Sequence, residues 1–310
     1  METTERYQEY KKDHCWQYDI RKNNYQKDLD LSGLTQEEVD TLRTSDFLFE
    51  YVDSKEKEKC LEIVNFIKRH EWLGKMPLRP THRFTMRYKG MLSGVIVMAI
   101  PNAVSKLMGD SILLQNSEKP IENYEKLISR GACISWSPKN LASTMIMKSI
   151  KWMTKNTDFR LFTCYGDEEA KEVGQIYQAC NFYYLGKKSG SKKMYFDPAN
   201  PSAGWFSDRV FRKLGKYKKY AKDLGLQWQS NWDNGKWTVQ WKNMGPGIEA
   251  QLRQASKDYQ AKCDERVVPL KHKYAYVLGV SSKETKRLRK QFTERNKIKK
   301  YVKRSTCNNM

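Results

Sequence analysis

The sequence lacks any run near the roughly 20 apolar residues that a membrane-crossing helix needs, which excludes a transmembrane span. Its opening stretch, METTERYQEYKKDHC, is charged and has no apolar segment of the kind a secretory signal carries. The seven cysteines stand apart at positions 15, 60, 133, 164, 180, 263 and 307, an odd number with no CxxC pair. That spacing excludes a disulfide framework and fits reduced thiols in a cytoplasm. Histidine is scarce, with four in 310 residues, so a site built from several imidazoles has few candidates. There is no internal repeat.

Positive charge is abundant. Lys and Arg number 57 against 36 Asp and Glu, a formal net charge of +21 and a pI near 9.5. Such an excess favours polyanionic partners, because each phosphate contact releases counterions and the field steers encounter. Charge alone also fits a generically basic protein. Aromatics make up 12% of the chain, enough to furnish a core.

The apolar pattern predicts an α/β (α+β) protein: a mixed central sheet flanked by helices, with an inserted basic, Trp-rich helix and hairpin subdomain. Residues 1–74 read as an N-terminal helical extension. A capping-box pattern starts at Thr35, and an amphipathic helix over 57–70 presents Cys60, Ile63, Val64 and Ile67. Residues 75–200 form the α/β core. Its strands are predicted at Phe84–Tyr88, Gly94–Ile100, Gly131–Trp136, Arg160–Tyr165 and Phe182–Leu185, alternating with helices carrying Met145 to Met153 and Val173 to Cys180. Residues 201–265 form the insertion, with a basic helix over 206–224. There LQWQSNW and WTVQW flank Asp233-Asn234-Gly235-Lys236, a hairpin signal. Residues 266–281 return a strand to the core, and 282–310 read as a basic, solvated helix or arm.

The turn Ser137-Pro138-Lys139-Asn140 feeds a helix. A helix start presents unpaired backbone N–H groups and a positive dipole end, suited to a phosphate. Any capped helix has such a start, so the turn alone is a weak signal. Around it stand Ser129-Arg130, then Pro138-Lys139-Asn140-Leu141-Ala142-Ser143, then Tyr165-Gly166-Asp167. Gly174-Gln175-Ile176-Tyr177-Gln178-Ala179-Cys180-Asn181-Phe182 follows. This succession resembles the Mom family of phage DNA-modification proteins over roughly residues 75 to 200 plus the strand near 275. His82 and Lys271-His272-Lys273-Tyr274 fall where that family has similar features.

The resemblance implies an acetyltransferase-like (GNAT) fold. It also implies an enzyme that converts the exocyclic amine of adenine in DNA to a carbamoylmethyl-type derivative, shielding it from restriction. Double-stranded DNA is the implied partner, acetyl-CoA or a related small donor the implied cofactor, and a bound iron a further one. On this basis the catalytic candidates are His82, Asp167, Tyr177 and Arg130. The cofactor candidates are Lys139, Asn140, Leu141, Ala142 and Ser143, although a Gly-rich pyrophosphate loop is absent. No second histidine presents itself beside His82 and Asp167, so no metal ligands are assigned.

Each candidate has a plainer reading. His82 is a capped surface histidine or a metal ligand and proton carrier. Asp167 is a loop aspartate or a general base at a strand's carboxyl end. Tyr177 packs or acts as an acid. Arg130 pairs with an internal carboxylate or holds a phosphate through its fork of donors. Lys213, Lys216, Lys218 and Lys219, with Trp228 and Trp237, are the nucleic-acid candidates, since aromatic faces flanked by cations stack an unpaired base. The same tryptophans equally suit the core of a small subdomain. A base inside a duplex would have to be flipped out. Two further functions stay open: an acyl-CoA-dependent N-acyltransferase on a protein or small molecule, and an inactive basic DNA-binding protein. The chain is expected to be cytoplasmic, as monomer or homodimer.

Overall fold

The computed structural model describes residues 15–101, 107–108, 124–189, 193–235 and 238–302. The chain divides into two compact units, Lys11–Ser189 with Lys271–Met310 and a smaller one over Gly190–Leu270.

The larger unit is built on a seven-stranded sheet. Its strands are β1 (Leu48–Val52), β2 (Pro80–Tyr88), β3 (Met91–Ala99), β4 (Glu125–Cys133), β5 (Leu161–Gly166), β6 (Tyr183–Ser189) and β10 (Lys271–Val277), in the order β1-β2-β3-β4-β5-β10-β6. Every neighbouring pair is antiparallel except β4 and β5. Lys89 and Gly90 both take positive φ, which matches the tight turn joining β2 to β3 to the twist of its strands. β3 is buried from Leu92 to Ala99, as an inner strand covered by helices should be.

Helices α1 (Trp16–Ser32), α2 (Gln36–Thr41), α3 (Lys57–His70), α4 (Leu141–Asn156), α5 (Gln175–Ala179) and α8 (Ser282–Arg295) belong to the same unit. The predicted capping box opens α2, with Thr35 and Glu38 bonding reciprocally. The buried face of α3 is Ile63, Phe66, Ile67 and His70, rotated from the expected one, and Val64 is exposed. α4 buries Met145, Ile146, Ser149, Ile150 and Met153, as its spacing predicts. It connects the two parallel strands, the connection such a pair requires.

The strand expected over 131–136 lies earlier, at 125–133. Ile134 and Trp136 are core residues, which is why the stretch reads as β. Their polar groups turn to α1 instead: Asp28 accepts from the Ser135 N–H at 3.1 Å, and the Trp136 indole donates to the Asp28 carbonyl at 3.2 Å. The basic C-terminal segment forms α8 and is not wholly solvated, because Leu288 and Phe292 are buried.

The smaller unit holds a three-stranded antiparallel sheet of β7 (Lys193–Phe196), β8 (Phe206–Ser207) and β9 (Asp264–Val267), with β7 central. Helices α6 (Leu214–Asp223) and α7 (Pro246–Ala261) enclose a core of Tyr217, Tyr220, Ala221, Trp232, Val239, Met244 and Leu252. The single helix expected over 206–224 is a short strand, a 3-10 turn over Asp208–Arg212 and then α6. Among the described residues the expected Trp hairpin is reduced to one isolated bridge between Asp233 and Val239. Ser230–Trp232 and Trp241–Asn243 coil into 3-10 turns, so no ladder grows from it.

Candidate active site at the parting of two parallel strands

The parallel pair β4/β5 is hydrogen-bonded over only three residue pairs, Glu125–Leu161, Lys126–Phe162 and Leu127–Thr163. Both strands run on beyond that point, β4 held by β3 and β5 by β10. The sheet therefore opens at the carboxyl ends of two parallel strands, where α/β proteins place their sites.

Polar side chains converge there. Tyr177 on α5 bonds to the Cys164 thiol on β5. Burial, then Cys164, Glu172 and Glu71, push its phenol well above the usual value of 10, so it stays protonated. Burial and the neighbouring Glu71 push the Glu172 carboxyl up to about 7. That carboxylate also accepts hydrogen bonds from the Trp72 indole and the Asp167 backbone N–H. Glu71 is itself buried, and Arg130 Nε lies 4.0 Å from its Oε2. Arg130 further donates to the carbonyls of Lys75 at 2.6 Å and Ser129 at 2.5 Å. Like charges sharing one poorly hydrated site raise a carboxyl's proton affinity, so Glu172 is poised to exchange a proton near neutral pH.

The loop 167–174 that presents Glu172 is shaped by two glycines. A Cβ on Gly166 would stand 2.6 Å from the Glu172 carbonyl oxygen, and Gly174 has φ of 77°. α4 begins beside this cluster, with Cys180 Sγ 3.8 Å from the Ser143 carbonyl. Arg21 of α1 fixes the preceding loop by donating to the carbonyls of Ser135 and Ser137, both at 2.7 Å. The N-terminal helix is thus a brace for that loop.

Of the sequence candidates, Arg130 and Tyr177 join the cluster. Asp167 borders it through its backbone, while its carboxylate pairs with Lys271 at 2.5 Å. Ser143 lies at its edge, its hydroxyl donating to the Asn140 carbonyl at 3.0 Å. Lys139 and Asn140 are exposed at the start of α4, and Asn140 adopts a left-handed φ of 67°. Leu141 is a core side chain, and Ala142 is half-buried in the first turn.

His82 stands elsewhere. Its ring meets Tyr51, Trp152 and Phe159, none of which is among the groups around Asp167. Burial, with Lys126 and Arg83 nearby, lowers its imidazole to about 4, so it is neutral at physiological pH. Among the described residues no three His, Cys, Asp or Glu side chains are placed to hold a metal. The described donors do not fit the iron that the resemblance implies.

In the smaller unit Lys216 donates to the Tyr259 hydroxyl at 3.1 Å and Lys218 pairs with Asp233 at 2.9 Å. The Trp228 indole also donates to Asp233. Lys213 and Lys219 are exposed, and Trp237 lies outside the described residues. Sequence reasoning missed Glu71, Trp72 and Glu172. Glu71-Trp72 directly after α3 was the one available hint, and nothing distinguished Glu172 from the other acidic residues.

The mixed sheet, the helix joining its parallel pair and the polar cleft between those strands define a mixed α/β core with a candidate site at its strand ends. Residues 52–223 match the Mom protein family, more than half of the chain. The chain belongs to that family. No protein of curated function matches it. Among solved structures it is similar to the ribosomal L7/L12 alpha-N-protein acetyltransferase RimL, at 10% identity, covering 76% of this chain and 96% of that one, TM-score 0.34. A GNAT family acetyltransferase from Elizabethkingia anophelis with acetyl-CoA bound aligns at 8% identity, covering 75% and 99%, TM-score 0.30. An agmatine N-acetyltransferase aligns at 8% identity, covering 75% and 100%, TM-score 0.33. These are distant likenesses, and nothing about substrate follows from them.

Proposed function

We propose that this protein is a DNA-modifying transferase that alters the exocyclic amine of adenine, giving a carbamoylmethyl-type derivative that protects phage DNA from restriction in the host cytoplasm. The observation that carries this reading is the meeting of Arg130, Tyr177, Glu71 and Glu172 at the strand parting in a chain of the Mom family.

In this reading the adenine is flipped from double-stranded DNA into the cleft. When the amine nitrogen bonds to the donor carbon, that carbon's bond to the donor's leaving group would break, the leaving group departing with the electron pair, and Glu172 would take the proton the nitrogen releases. A carboxylate whose proton affinity lies near working pH is suited to that task. Tyr177, held neutral, would turn its single O–H from the Cys164 sulfur toward the negative charge that develops on the donor. Glu71 keeps Glu172 basic, and Arg130 holds Glu71 and the 71–75 segment in place. Lys139 and Asn140, exposed at the start of α4, would hold the diphosphate of acetyl-CoA or a related donor, and a carbamoylmethyl product would need that donor to bring the amide nitrogen along with the activated carbon. The carbonyls of Ser135 and Ser137 are engaged by Arg21, so the loop offers its rim rather than its interior.

Mass spectrometry of nucleosides digested from the DNA of cells expressing the protein tests this, beside a Glu172→Gln variant. A new deoxyadenosine derivative, absent with the variant, is expected. Unchanged nucleosides together with acetyl-CoA-dependent acylation of a protein or small amine would assign the chain to the conventional N-acyltransferases.

A further inference from the structure

α8 and the segment that follows it, residues 282–302, carry nine Lys and Arg against two Glu. Lys283, Lys286, Arg287 and Lys290 are all exposed. Their i, i+3, i+4, i+7 spacing places them on one stripe of the helix. Leu288 and Phe292, on the other side, are 1% and 0% exposed and belong to the core. The stripe carries one acid, Glu294, which lies 3.9 Å from Lys290. Glu284 is turned away from it, accepting from the Val280 N–H at 2.7 Å and pairing with Arg160 at 3.5 Å.

Beyond the helix Lys297, Lys299 and Lys300 are exposed as well. This segment is anchored, since the Lys299 N–H donates to the Tyr184 carbonyl of β6 at 2.8 Å. The smaller unit also has exposed cations, Lys213 and Lys219 among them, but part of its basic helix is engaged. There Lys216 and Lys218 are held by Tyr259 and Asp233, and Trp228 is tied to the same aspartate.

We infer that the exposed face of α8, led by Lys283, Lys286, Arg287 and Lys290, is the surface on which the catalytic unit holds the phosphate backbone of duplex DNA. The inference rests on the DNA-modifying reading above. From Lys283 to Lys290 the helix advances roughly 10 Å. A duplex presents about six phosphate charges over that length. A membrane surface is the less suitable partner, because an interfacial helix must insert an apolar face, and the apolar face of α8 is already inside the protein. Backbone contacts of this kind position a duplex without reading its sequence, leaving base recognition to the cleft.

The test uses the full chain with Lys283, Lys286, Arg287 and Lys290 all changed to Gln, and a fluorescent 20-base-pair duplex titrated across a range of salt. The slope of log affinity against log salt is expected to shrink by about 3 to 4, and affinity at 0.15 M salt to fall at least about ten-fold. A second variant, Glu294→Lys, adds a cation to the same stripe and is expected to steepen the slope by about 1. Slopes that match the wild type in both variants overturn the inference. So does an unchanged duplex slope accompanied by lost binding to vesicles containing phosphatidylserine, which assigns the face to a membrane. Wild-type protein that binds duplex with the expected slope but leaves no modified nucleoside defeats the functional reading and leaves this surface standing.

Discussion

The ring of Tyr274 occupies the place that a side chain on Gly174 would need. A Cβ there would stand 2.3 Å from Tyr274 Cε2, and the tyrosine hydroxyl donates to the neighbouring Val173 carbonyl at 2.5 Å. β10 thereby locks the end of the loop that presents Glu172. Gly174→Ala combines this overlap with a left-handed backbone that an L-residue resists, at φ of 77°. We expect a loss of about 3 kcal/mol in denaturant unfolding, with modification activity falling in parallel. A variant with the wild-type midpoint would show that the loop and β10 are not in this contact.

Glu172 gives a pH dependence of definite sign. Its folded carboxyl is raised from 4.5 to about 7, by burial first and by Glu71 second. Between those values the folded protein binds the proton that the unfolded chain has released, so stability falls as pH rises from about 4.5 to 7. Glu172→Gln removes this loss and is expected to stabilise the fold above pH 7 by on the order of 3 kcal/mol. The same substitution abolishes the base. Wild-type activity should rise with pH through a midpoint near 7, and the variant should lose 10²-fold or more, with that limb gone. A Glu172→Gln enzyme retaining both rate and pH profile would falsify the assignment of the proton to this residue.

The sheet was readable where periodicity was strong. α3, α4 and the strands β2, β3 and β5 came from the apolar pattern, the helices through one buried face and β3 and β5 through near-continuous burial. The β4 boundary was not readable, since Ile134 and Trp136 are buried in an irregular loop whose polar groups bond to α1 more than 100 residues away in sequence. The Trp hairpin failed for a related reason. Asp233 and Val239 bridge, but Trp228 and Trp232 pack against each other with ring centroids 5.5 Å apart and join the core of the smaller unit in place of a ladder. In the candidate site, Arg130 and Tyr177 were visible through the family resemblance. Glu71 and Glu172 were not, because their pairing exists only once α3 and the 167–174 loop meet.

Asp28 ties α1 to the loop ahead of α4. It is 1% exposed, pairs with Arg69, lies 3.5 Å from His70 Nδ1 and accepts from the Ser135 N–H. Removing it with Asp28→Ala leaves a buried backbone donor and a guanidinium without their acceptor. We expect about 3 to 5 kcal/mol of destabilisation in chemical denaturation, and a loss under 1 kcal/mol would sink this account of the brace. Arg21→Ala acts on the same loop from a less buried position. Freed from the guanidinium, the Ser135 and Ser137 carbonyls shift the rim that carries Lys139 and Asn140. The expected result is a roughly ten-fold higher KM for the donor with kcat little changed, the pattern of lost uniform binding. A drop in kcat with KM constant would place Arg21 in the chemistry instead.

Tyr177→Phe separates packing from chemistry at the site. The ring contacts that Tyr177 makes with Phe182, at 5.5 Å between centroids, and with Tyr274, at 5.6 Å, survive the substitution. What is lost is the phenol and its bond to the Cys164 thiol. Stability should therefore change by no more than about 1 kcal/mol in either direction. The Glu172 carboxyl stays in place, so the midpoint near pH 7 in the rate profile should persist. The rate should nonetheless fall about 10²- to 10³-fold, the size of effect seen when one donor to a developing anion is removed. Nucleoside mass spectrometry at several pH values reads all of this in one series. Full activity in Tyr177→Phe would reduce the residue to a packing role.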